Sequence, residues 1–254
     1  MERDRIFLFG INPVLEKLKA SPDEVTEVII AADRHGPLVR AIDAEARRLG
    51  LSVTYLPSRD LDRLIERRKH QGVLAKVEPY SYLAFDNLLR ELSSNPGREW
   101  ILVLDGLTDP RNFGALLRSA EATGIRYVII PRDRSVSVTS IVIKASAGAA
   151  HHLKVCRVIN LRRAIMTLKE RGFWIAGLDV RARETIYDRV YPEKLAIVLG
   201  SEGAGMRPVI RQECDYLVSV PMRGRIGSLN VAVAGAVFLY ELLRQHICVD
   251  TQRG

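Results

Sequence analysis

Three polar segments of this 254-residue chain carry residue types that can do chemistry. "LDGLTDPRNFGALLRSAEATG" holds Asn112 and Arg118. "IVLGSEGAGM" holds Glu202 among Gly200, Gly203 and Gly205. "RGRIGSLNVAVAGAVFLYELLR" sets Arg223, Arg225, Ser228 and Asn230 ahead of a small-residue apolar helix. Glycine lets a backbone approach a ligand closely or adopt positive φ. Guanidinium forks suit phosphate. Each feature also has a plainer use. Asn112 or Ser228 could cap a helix, and Arg118 could pair with Glu121 at i+3. Glu202, Arg223 and Arg225 could be solvated turn residues. The glycines follow neither G-x-G-x-x-G nor a P-loop pattern. Gly235, inside a helix, costs about 1 kcal/mol relative to Ala, so a packing reason is expected there.

The elements that must position these loops alternate between strand and helix. In the first part, "NPVLEKLKA" has helical spacing, with Asn12 as N-cap and Pro13 at the first helical position. "EVTEVIIAA", "LSVTYLP" and "VLAKVEPY" are β-rich, and "PLVRAIDAEARRLG" and "SRDLDRLIERRKHQG" are helical. This predicts a compact α/β unit over residues 1–80. Residues 81–98 read as a linker, because Ser93, Ser94, Asn95, Pro96 and Gly97 cluster there. The helix-like "YLAFDNLLREL" within that stretch fits either side. From 99 to 254, the strands "WILVLDGL", "IRYVIIP", "LKVCRVI", "FWIAGLDV", "LAIVLG" and "YLVSVPM" alternate with helical segments, among them "SIVIKASAGAA" and an Asn160-capped "LRRAIMTLKERG". That pattern predicts an α/β fold with a mostly parallel sheet covered on both faces. The three chemical segments follow strands, where ligands of such sheets sit.

Composition narrows the partner. Net charge is +8, which favours an anionic partner, nucleic acid first. The excess is uneven: 14 Lys and Arg face 13 Asp and Glu up to Tyr80, leaving 24 against 17 beyond it. Three cysteines without a Cys-x-x-Cys pair argue against a disulfide framework or a zinc site and fit a reducing cytoplasm. His151-His152 lacks further ligands at metal spacing. The start has no long apolar run, and the longest, Val231 to Tyr240, falls short of the roughly 20 residues a bilayer requires. No membrane or secretory role is expected.

Together the segments "DPRNFGALLRSAEATG", "IVLGSEGAGM" and "VPMRGRIGSLNVAVAGAVFLYEL" resemble, in order and spacing, the three motifs of the SpoU (TrmH-type) branch of the SPOUT RNA 2′-O-ribose methyltransferases. "FGINPVLEKLKA" and "HQGVLAKVEPY" look like the opening and close of the small L30e-like RNA substrate-binding domain that many members carry. The layout is most similar to the bacterial members that methylate a guanosine in the peptidyl-transferase region of 23S rRNA. One departure is Ala232, where the family often has Ser.

The resemblance implies a deep trefoil knot in the carboxyl-terminal domain, S-adenosyl-L-methionine as cofactor, no metal, a homodimer, and 23S rRNA or a large-subunit assembly intermediate as partner. It implies catalytic roles for Asn112, Arg118, Glu202, Ser228 and Asn230. Cofactor contacts fall to Leu199, Gly200, Gly203, Val220, Met222, Ser228 and Leu229. RNA contacts fall to Arg67, Arg68, Lys69, Arg111, Arg223 and Arg225. Family reasoning places the residue matching Arg118 at the reacting hydroxyl, sometimes as general base. A guanidinium is practically always charged, so the expectation here is that Arg118 fixes a phosphate and stabilises the alkoxide. Two alternatives stand beside this reading: a tRNA ribose methyltransferase of the same family, and a non-catalytic ribosome-assembly RNA-binding protein.

Overall fold

A computed structural model describes residues 6–20, 22–65, 70–77, 80–94 and 98–253. The chain forms two compact units, Met1–Ser81 and Tyr82–Gly254.

The first unit contains β1 (Ile6–Phe9), α1 (Ile11–Ala20), β2 (Val25–Ala31), α2 (Pro37–Arg48), β3 (Ser52–Leu56), α3 (Ser58–Leu64) and β4 (Val73–Val77). Its sheet runs β1-β4-β2-β3; β2 and β3 are parallel, the other pairs antiparallel. Amphipathic α1 and α2 bury Val14, Leu18, Val39 and Ile42 against Val28, Ile30 and Val73. Strand β1 was not anticipated, since four apolar residues show no usable period. The expected Asn12 cap is corrected: α1 begins at Ile11, and the Gly10 carbonyl accepts from Val14 N–H at 3.1 Å. The left-handed Gly10, at φ +100°, makes that entry.

The second unit contains α4 (Phe85–Ser94), β5 (Glu99–Asp105), α5 (Pro110–Ala122), β6 (Tyr127–Pro131), α6 (Ser140–Ala145), β7 (Lys154–Val158), α7 (Leu161–Glu170), β8 (Trp174–Leu178), β9 (Glu184–Thr185), β10 (Lys194–Gly200), α8 (Pro208–Arg211), β11 (Tyr216–Ser219) and α9 (Val231–Arg253). Its sheet runs β7-β6-β5-β10-β8-β11-β9, and all six pairings are parallel. Every residue of β5 is buried, as a parallel strand covered on both faces requires. Asn160 caps α7 by accepting from Arg163 N–H at 3.0 Å.

Two expectations change here. The stretch 81–98 is not a linker along its length: α4 buries Leu88, Leu89 and Leu92 in one core with Ile101, Ile129 and Ile165. The helix expected over "SIVIKASAGAA" stops at Ala145, because Ala147 (φ +51°) and Gly148 (φ +86°) turn left-handed and a short 3-10 turn follows.

Candidate active site

The site lies where β8, β10 and β11 end and their loops meet the start of α9. Strand β10 delivers Gly200 to a tight turn: Ser201 and Gly205 exchange backbone hydrogen bonds at 3.1 and 3.0 Å. A Cβ on Gly200 would stand 2.0 to 2.4 Å from backbone atoms of Gly205 and Met206. Only glycine permits this folding back. Gly203 and Gly205 take φ of +79° and +70°. The turn is anchored beneath. Buried Asp105, closing β5, accepts from Arg207 N–H at 2.8 Å and from its Nε at 2.7 Å, with Nη2 also at 2.7 Å.

This turn, the ends of β8 and β11 and the segment before α9 enclose a cavity of about 560 Å³. That volume falls in the range of small-molecule sites. Its wall includes Leu199, Gly200, Gly203, Val220, Met222, Ser228 and Leu229, the whole set expected to hold a cofactor. It also includes Asp179 and Arg211, which sequence reasoning missed. Arg211 Nε donates to Asp179 Oδ2 at 2.6 Å, and Arg181 N–H to Oδ1 at 2.8 Å. Burial would raise the Asp179 carboxyl, but these donors outweigh it and hold it below its ordinary range. A polar residue just past the strand end was the available signal.

Three expected catalytic residues form one hydrogen-bonded chain. Asn230 Oδ1 accepts from Ala232 N–H at 2.8 Å and from Val233 N–H at 3.4 Å, capping α9. Asn230 Nδ2 donates to Asn112 Oδ1 at 3.0 Å. Asn112 Nδ2 donates to Glu202 Oε1 at 2.7 Å. Both amides are thereby fixed in orientation, and each keeps a second N–H for a ligand. The helix-cap use weighed for Asn112 falls to Asp109, which accepts from Arg111 N–H at 2.8 Å with Pro110 at the first helical position. That weighed for Ser228 falls to Asn230; Ser228 instead lines the cavity.

Arg118 stays apart. It is exposed on α5, outside the cavity wall, and makes no hydrogen bond or ion pair among the described residues, so the weighed pairing with Glu121 is absent. Arg111, Arg223 and Arg225 are likewise exposed with ungrouped guanidiniums among the described residues. Arg67, Arg68 and Lys69 lie outside the described residues. Gly235 has its packing reason within the chain: a Cβ there would stand 2.5 Å from Leu116 and 2.6 Å from Leu199. Burial pushes the thiols of Cys156 and Cys214 up to about 12, so neither serves as a nucleophile. Among the described residues, no three His, Cys, Asp or Glu side chains group as a metal site. No helix among them is long and apolar enough to cross a membrane.

Comparison with known proteins places this geometry. The model of the SpoU rRNA Methylase family matches residues 99–240, and that for RNA 2′-O ribose methyltransferase substrate binding matches residues 7–83. The chain is 39% identical to the 23S rRNA (guanosine-2′-O-)-methyltransferase RlmB of Haemophilus influenzae, over 94% of this chain and 98% of that protein. It is 36% identical to a Bacillus subtilis protein of the TrmH tRNA/rRNA methyltransferase family, over 96% and 98%. Among solved structures, the SpoU methyltransferase AviRb of Streptomyces viridochromogenes, in complex with AdoMet, shares the fold. Its TM-score is 0.64 at 24% identity, covering 96% of this chain and 91% of that one. The cavity, its glycine turn and the Asn230–Asn112–Glu202 chain therefore stand in a protein that belongs to the SpoU rRNA methylase family.

Proposed function

We propose that this protein transfers a methyl group from S-adenosyl-L-methionine to a guanosine 2′-hydroxyl in the peptidyl-transferase region of 23S rRNA. The observation that carries the reading is the fixed Asn230–Asn112–Glu202 chain beside a cavity closed by the Ser201–Gly205 turn. The cavity's volume, the close Gly200 turn and the apolar wall of Leu199, Val220, Met222 and Leu229 fit a nucleoside cofactor. When bound, the cofactor supplies an electrophilic methyl group on a sulfonium.

A ribose hydroxyl is a weak nucleophile, so the chain's task is chiefly alignment. Asn230, in the cavity wall, orients the cofactor's reacting end, and Asn112, outside it, orients the hydroxyl, each through an uncommitted N–H; Glu202 locks Asn112, and Ser228 adds a hydroxyl to the wall. Arg118, which stands outside the cavity wall of its own chain, is assigned the adjoining phosphate and the developing alkoxide once RNA is bound, with the proton leaving to phosphate or water. Arg111, Arg223, Arg225 and the basic Arg67–Lys69 run hold RNA phosphates. The first unit recognises the substrate, a role supported by the family match over residues 7–83. The trefoil knot is proposed for the segments carrying the second and third motifs.

A homodimer belongs to this reading. Val233, Tyr240 and Ile247, seven residues apart on α9 and each about half exposed, form an apolar stripe suited to a second copy. The protein works on rRNA or an assembling large subunit in the cytoplasm. The test is incubation with labelled S-adenosylmethionine and unmodified 23S rRNA, followed by mass-spectrometric mapping. One 2′-O-methylguanosine in the peptidyl-transferase region is expected; label on tRNA alone would overturn the substrate. The name of the Bacillus subtilis relative, which covers both RNAs, makes tRNA the second reading.

A further inference from the structure

The loop between β6 and α6 has no part in the site described above, yet it lies against the first motif. Val136 N–H donates to Leu107 C=O at 2.8 Å, and the Arg134 carbonyl comes 3.7 Å from where a Cβ on Gly106 would stand. The loop is fastened at both ends. Arg132 N–H donates to Val158 C=O at 2.8 Å, Arg157 Nη2 to Arg132 C=O at 3.0 Å, and Val138 N–H to Tyr82 OH at 2.8 Å. Within it Arg134 is held at φ +57°, the left-handed region that non-glycine residues seldom occupy. Surrounding contacts must impose such a conformation, and it concentrates at functional sites. The Arg134 guanidinium is exposed and makes no hydrogen bond or ion pair among the described residues. The guanidiniums of Arg111 and Arg118 are likewise exposed and without hydrogen bond or ion pair among the described residues, and, seven residues apart, the two stand on one face of α5.

We infer that Arg134 is an RNA-phosphate ligand, presented by a strained loop beside the Gly106–Leu107 turn. With Arg111 and Arg118 it forms a track for the strand that carries the acceptor nucleotide. An uncommitted guanidinium on this loop and two more along one face of α5 offer positive charge that RNA phosphates can neutralise. Glycine would satisfy the backbone at 134 better than arginine does. The arginine is therefore explained by what its side chain binds. This inference rests on the rRNA reading above.

The test is Arg134→Gly in the full chain, which keeps or improves the backbone while removing the charge. Binding of a labelled, unmodified 23S rRNA fragment from the peptidyl-transferase region is followed across a salt series, beside thermal melting and methylation of that fragment by the wild type. Expected are an unchanged or higher Tm, affinity lower by about tenfold, and a log–log salt slope smaller by about 0.7 to 0.9, the loss of one phosphate contact. An unchanged affinity and slope, with a wild type that methylates the fragment, would overturn the inference and leave the function standing. A wild type that neither binds nor methylates the fragment would overturn the rRNA reading, and the track with it.

Discussion

Replacing Asp105 by Asn keeps the shape of a fully buried side chain and removes its charge. The wild-type carboxylate accepts from Arg207 N–H and from its guanidinium through two nitrogens, at 2.7 to 2.8 Å. Asparagine can retain one acceptor, now neutral, so a charge-assisted bond falls from about 2 to about 1 kcal/mol. Its amide NH2 replaces the second oxygen and faces an N–H donor, which forfeits another bond and leaves a buried donor unmet, roughly 1 to 3 kcal/mol more. Arg207 is half exposed, so water takes up its released charge without a large further penalty. The sum is about 2 to 4 kcal/mol, a drop in Tm of about 10 °C for a unit of this size. Because the Ser201–Met206 turn enters directly into Arg207, its cavity wall loosens, and affinity for S-adenosylhomocysteine should fall by about tenfold or more. Calorimetric binding and thermal melting read both quantities. Arg207→Ala should cost more, about 3 to 5 kcal/mol, because it strands a buried carboxylate. An Asn variant that melts and binds like the wild type would refute the anchoring role, as would an Ala variant milder than the Asn one.

Three further outcomes are expected. Asn112→Ala should lower single-turnover methyl transfer by about 10²-fold through lost alignment, while S-adenosylhomocysteine affinity, read by calorimetry, stays near the wild-type value because Asn112 does not line the cavity. Gly200→Ala should abolish measurable cofactor binding and destabilise the second unit by more than about 3 kcal/mol in denaturant melts, since the methyl meets backbone at 2.0 to 2.4 Å. Glu99→Gln should stabilise the fold in a pH-dependent way. Burial raises the Glu99 carboxyl above its ordinary value, Arg126 at 3.5 Å opposing this without cancelling it, and among the described residues neither carboxylate oxygen accepts a hydrogen bond. The folded state thus holds its proton more tightly than the unfolded state. Stability is lost as pH rises from the unfolded value of about 4.3 through the raised folded one. The Tm advantage of Gln should therefore be larger at neutral pH than near about pH 4; an advantage confined to acid would reverse the assignment.

Much of the site was legible because it sits on local signals. Glycines after an apolar strand announced the Ser201–Gly205 turn, and every residue expected to face a cofactor stands in the cavity wall. What stayed hidden were choices between local uses. Asn112 precedes a helix turn and reads as a cap, yet Asp109 two residues before Arg111 takes that place. Ser228 and Asn230 are both good caps, and only the point where α9 starts assigns the task to Asn230. Asp179 offered only its place just past the end of β8, and nothing local pointed to Arg211, because their pairing joins β8 to α8 across 32 positions.

By itself the sequence determined the alternation of buried strands and amphipathic helices, the parallel character of the second sheet, the cap of α7 and the glycine turn that closes the cavity. These are consequences of burial period, side-chain reach and φ, all properties of neighbouring residues. Tertiary structure alone decided that β10 lies between β5 and β8, that α4 belongs to the second unit's core, and that Gly235 admits Leu116 and Leu199. It alone brought Asn112 to Glu202 across 90 positions and to Asn230 across 118. Periodicity records how deeply a residue is buried. The partner it meets depends on the order in which strands enter the sheet, and no local pattern encodes that order.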